Sequence, residues 1–121
     1  MNIALWGLQV LLALHTAIGA GWKSFNTPQA VPSLSALPSG VWFSLIPLEL
    51  LCAAGLVLPA VVPSAGWVVP LAALGIALEM LVFSGVHLRA APADNGQMIY
   101  WLVVAVICAV IAVGRMTLAP L

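Results

Sequence analysis

Four apolar stretches, each long enough to cross a bilayer, take up most of this chain, and nothing else in it constrains the fold as tightly. They run from about Ile3 to Trp22, Val41 to Val62, Trp67 to Leu88 and Gln97 to Leu118. A crossing helix needs about 20 residues at about 1.5 Å rise each, so four of them with short loops consume all 121 residues. Backbone inside lipid has no water to bond to, so each stretch is read as a helix. The expected fold is all-α: a single four-span membrane bundle with short loops. Only 5% of the residues are charged, three Lys+Arg against three Asp+Glu, where a soluble domain carries about a quarter. That scarcity leaves no basic surface for nucleic acid, no acidic tail and no disordered region. With no cation following Met1, the first stretch reads as a retained span rather than a cleaved leader.

Four crossings return the chain to its starting side. Side A holds both termini with Arg115, and side B holds the first and third loops with Lys23 and Arg89. Two cations against one give no clear orientation. Lys23 is read as stopping the first span and Arg89 as closing the third, either as snorkelling anchors or as holders of an anionic headgroup. The loop from Ser24 to Gly40 alternates Pro28, Pro32 and Pro38 with Val31, Leu34 and Leu37 and leads into Trp42 and Phe43. It is too short to span and rich in apolar residues. It reads either as an interfacial segment lying over side B or as an irregular solvated loop.

Ionisable groups inside lipid are costly, so their positions are the best guide to function. His15 in the first span, Glu49 in the second and Glu79 in the third lie roughly 11, 12 and 14 Å below the side B surface by helical rise. A shared polar pocket opening to side B is the simplest way to house all three. Helical spacing places Trp42 and Cys52 on the face of Glu49, and Phe83 on the face of Glu79. The fourth span offers Trp101, Cys108 and Arg115 on one stripe, and His87 sits near the mouth. Pro47 interrupts the bonding of the second helix and frees the Phe43 carbonyl. Glu49, Glu79 and His15 are therefore the candidate acid–base groups. Trp42, Cys52, Phe83, His87, Trp101, Lys23 and Arg89 are the candidate ligand contacts. Each has a structural alternative: the two carboxyls as protonated glue between helices, His87 as an interfacial residue, and the cysteines as apolar filler rather than a redox pair. The stripe Ala13, Ala17, Gly21 offers a contact surface to another helix or subunit. No metal set is read, because His87 lies too shallow to join His15 and the two acids. An apolar, aromatic lining with two carboxyls suits a quinone or a lipid.

Three stretches resemble the DoxX-like family of small four-helix membrane proteins. They are Gly19-Ala20-Gly21-Trp22-Lys23, then Leu48-Glu49-Leu50-Leu51 continuing to Leu58-Pro59, and His87-Leu88-Arg89. By that resemblance Lys23, Glu49, His87 and Arg89 fall on recurring polar positions, and Ala90-Ala91-Pro92 departs from a more charged continuation. The resemblance implies a multi-pass protein of a bacterial plasma membrane. It also implies a choice between a subunit of a quinone-linked oxidoreductase assembly and a non-enzymatic assembly factor. The residues themselves leave enzyme activity open, as an oxidoreductase component or an acid–base isomerase of a hydrophobic substrate. Partners read from the same features are membrane lipids, other membrane subunits or a second copy. A third reading is a small exporter, although the small multidrug transporters that this chain resembles in size carry their acid where it has His15.

Overall fold

The computed structural model describes residues 2–27, 30–31, 34–35, 37–90 and 95–118. Met1, Pro28, Pro32, Ala91 and Pro92, all used in reading the sequence, lie outside them. Among the described residues the architecture is all-α, built on α1 (Asn2–Ser24), α2 (Ser39–Val57), α3 (Val68–Ala90) and α4 (Gly96–Val113). All four are long and apolar enough to cross a membrane. Their outward faces are apolar as well: Leu11, Ile18, Leu51, Leu78 and Val106 are all exposed. A surface of that kind is matched by lipid and not by water.

The helix ends follow local chemistry. α1 continues past Lys23 to Ser24, whose hydroxyl donates to the Ala20 carbonyl at 3.0 Å. Lys23 therefore stands in the last turn of the helix, where the sequence places the end of the span. α2 begins after Pro38, whose extended backbone cannot be helical, and runs through Pro47 without a break. It ends at Val57, short of the expected Val62, because Pro59 has no N–H to continue the ladder. Two 3-10 turns, Leu58–Ala60 and Pro63–Ala65, carry the chain into α3. α4 widens after Val113 into one π turn over Gly114–Leu118.

Without a hydrophobic drive between helices in lipid, packing rests on small residues that let backbones approach. A Cβ on Gly55 would lie 3.0 Å from Val68 and 3.2 Å from Ala72, so α2 and α3 meet closely there. Gly75 receives the Cys52 sulfur in the same seam. Ala13 and Ala17 of α1 flank, with Ala53 and Ala54 of α2, a shallow groove of about 360 Å³ between the two helices, while Gly21 faces open space. The pairs α1–α2 and α3–α4 pack extensively, whereas α1 and α4 touch sparsely. The loop between α1 and α2 is not a free solvated strand. Leu34 is 1% exposed, and Val31 and Leu37 pack against the core, so these described residues of the loop lie over the side B end of the bundle.

Candidate functional site

Beneath that loop lies a cavity of about 490 Å³. α1 contributes His15, Thr16 and Lys23, α2 contributes Trp42 and Glu49, α3 contributes Glu79 and Phe83, and α4 contributes Tyr100 and Trp101. Ala30, Val31 and Leu34 of the loop form its cover. The wall thus involves all four helices: the sequence places the titratable groups on the first three and offers Trp101 of the fourth, to which the structure adds Tyr100. Ile18 of α1 and Gln97 and Tyr100 of α4 line the cavity and are also exposed on the outside of the bundle. The space accordingly reaches the surface through the sparse seam between α1 and α4.

The polar wall is organised around one ion pair. Lys23 Nζ donates to Glu49 Oε2 at 3.0 Å, and both residues are buried. Lys23 is neither a snorkelling anchor nor free to hold a headgroup, because its ammonium turns inward to the acid of α2. The same ammonium lies 5.5 Å from the centroid of Trp42 and 5.7 Å from that of Phe83, within cation–π range. Trp42 is fully buried, and its indole N–H donates to the carbonyls of Lys23 at 3.3 Å and Asn26 at 3.1 Å. One side chain thus ties the start of α2 to the end of α1 and shapes the cage.

Glu79 and Glu49 are neighbours on the wall of this cavity. Two carboxylates side by side repel, which favours a proton on one of them. With Lys23 charged, the cluster of two acids and one base is then electrically neutral, the state a low-dielectric interior favours. Oε1 of Glu49 and Oε1 of Glu79 remain buried without a protein partner. On the opposite wall, His15 Nε2 is hydrogen-bonded to the Tyr100 hydroxyl, bridging the α1–α4 seam, and His15 Nδ1 has no partner.

Glu49, Glu79, His15, Lys23, Trp42, Phe83 and Trp101 therefore share one cavity. Three other candidates do not line it. His87 is 1% exposed and packs edge-on behind Trp101, with its ring nitrogen bonded to Asn95. It is buried rather than interfacial. Cys52 turns into the α2–α3 seam against Gly75, and Arg89 is exposed beyond the bundle. Cys52 and Cys108 are both free thiols. Among the described residues no group of three or more His, Cys, Asp and Glu gathers in a way that could hold a metal ion. Sequence reasoning misses Thr16, Gln97 and Tyr100 of the cavity wall, and Gln9 outside it. Tyr100, the one tyrosine of the chain, stands in the first turns of α4, where a tyrosine reads as a member of the interfacial belt. Gln9 carries no charge to draw notice within its span, yet it is fully buried.

A lidded four-span bundle with its polar groups gathered on one internal cavity defines a small multi-pass integral membrane protein. The model of the DoxX-like family matches residues 7–112, nearly the whole chain, and the chain belongs to that family. No curated protein and no solved structure matches it.

Proposed function

We propose that this chain is a membrane subunit that holds a hydrophobic molecule with a polar head, quinone- or lipid-like, in the cavity under the α1–α2 loop. Glu49 and Glu79 handle the proton that accompanies that head, and the His15–Tyr100 pair offers a second polar contact. The observation that carries this reading is the pair of buried acids, one of them ion-paired to Lys23, on the wall of a largely apolar and aromatic space. Buried polar groups left partly unpartnered are costly, and a ligand head that meets them recovers that cost. Trp42, Phe83 and Trp101 supply the flat apolar surfaces that an aromatic ring or acyl chain packs against. The side opening between α1 and α4 gives a route from the bilayer.

The test is native mass spectrometry with lipid and quinone extraction on gently solubilised protein, comparing wild type with Glu79→Gln and Glu49→Gln. A small molecule carried in stoichiometric amount by the wild type and lost in both variants is the expected result. Protein that is equally empty in all three, or that carries another polypeptide instead, overturns the reading in favour of an assembly role.

A further inference from the structure

One ammonium already sits in this cavity, and the way it is held shows what the remaining acid is suited to receive. Lys23 Nζ has a carboxylate at 3.0 Å and the rings of Trp42 and Phe83 at 5.5 and 5.7 Å. Acid plus aromatic face is the arrangement that recognises organic cations. Lys23 engages one carboxyl oxygen of Glu49 and none of Glu79. Glu79 is 7% and Glu49 3% exposed, both residues line the cavity, and each has a buried Oε1 that no N–H or O–H of the protein reaches. The rings extend beyond the lysine: Trp101 packs on Phe83 at 5.3 Å and Trp22 on Trp42 at 5.9 Å.

We propose that the cavity takes a lipophilic ammonium, the protonated form of an alkyl- or arylalkylamine, between the carboxyl groups of Glu79 and Glu49, in place of one proton held by that pair. This rests on the preceding reading of the cavity as an amphipath site and names the head group within its lipid-like side. The exchange keeps the interior neutral. Before binding, one lysine cation balances one carboxylate and one carboxylic acid. Afterwards the lysine and the ligand balance two carboxylates, and the proton leaves to water. An anionic head gains little, because Lys23 is engaged and the acid oxygens repel it. A neutral head receives one hydrogen bond and displaces no proton. The titratable groups that share the cavity with the acid pair are Lys23 and His15 of α1 and Tyr100 of α4, and the thiols of Cys52 and Cys108 lie near enough behind the wall to feel its charge.

The test is calorimetric titration of the full chain in nonionic detergent with phenylbutylamine and its neutral counterpart phenylbutanol, in two buffers of different ionisation enthalpy. The expected result is that the amine binds about 10-fold more tightly than the alcohol. It should release about one proton per molecule bound, so that its affinity rises with pH while the amine stays protonated. Glu79→Gln abolishes both the release and the preference. Should that variant fold poorly, Phe83→Leu keeps both acids and lowers affinity for the amine more than for the alcohol. If the alcohol binds as well as the amine with no proton released, the ammonium inference falls and the cavity reading stands. If the wild-type protein binds the amine, the alcohol and decylubiquinone all undetectably, both fall.

Discussion

The bundle carries polar groups at both ends, and the two ends use them in opposite ways. Near side A, Gln9 commits both ends of its amide: Nε2 donates to the Leu56 carbonyl at 2.7 Å, and Oε1 accepts from Arg115 Nε at 2.5 Å. Arg115 also reaches Asn2 at 2.6 Å and lies 5.5 Å from the Trp6 ring. Space is filled as well, since a Cβ on Gly114 would fall 2.7 Å from Leu5. Towards side B, the acids and His15 surround a cavity and keep acceptor atoms unpartnered. A membrane protein that needed its polar groups only as fasteners would build both ends like side A. The contrast marks Gln9 and Arg115 as fasteners and agrees with the ligand-handling role proposed for Glu49 and Glu79.

A short series of substitutions sharpens or breaks that contrast, each read by denaturation in detergent micelles beside ligand binding. Gln9→Leu leaves the Arg115 Nε and the Leu56 carbonyl short of the bonds that the amide supplies. It should cost about 3 kcal/mol of stability, with side B binding unchanged. An equal loss from Glu79→Gln would sink the division of labour. Lys23→Met should cost less, about 2 kcal/mol, because the acid pair can take up a second proton in place of the lost cation. Adding Glu49→Gln should then recover most of that loss, as coupled partners do. Gly114→Ala should cost about 1 kcal/mol through overpacking against Leu5. Gly19→Ala, on the cavity wall with nothing within 4 Å of the added carbon, should change stability by less than about 0.5 kcal/mol.

Much of this is legible in the residues alone. Span length and apolarity dictate the helices, and the cost of an acid in lipid singles out Glu49 and Glu79. The cover over side B is visible in Val31, Leu34 and Leu37, apolar residues where a solvated loop would be polar. What the sequence hides depends on how helices are rotated and on pairings far apart along the chain. A lysine at the end of a span reads as an anchor, and only the orientation of the last turn of α1 turns Lys23 inward. Cys52 shares the Glu49 face by periodicity, yet α3 takes that edge of the face. The link from Arg115 to Gln9 crosses 106 positions and depends on the π turn that re-aims the arginine, for which the sequence offers only Gly114 as a sign.

The opening between α1 and α4 changes what occupancy means for this cavity. A molecule that enters sideways is drawn from the hydrocarbon phase, where a lipophile accumulates far above its aqueous level. The relevant concentration is then moles of ligand per mole of lipid. A modest intrinsic affinity suffices to keep the site filled, and dilution into excess lipid empties it even when the protein itself is untouched.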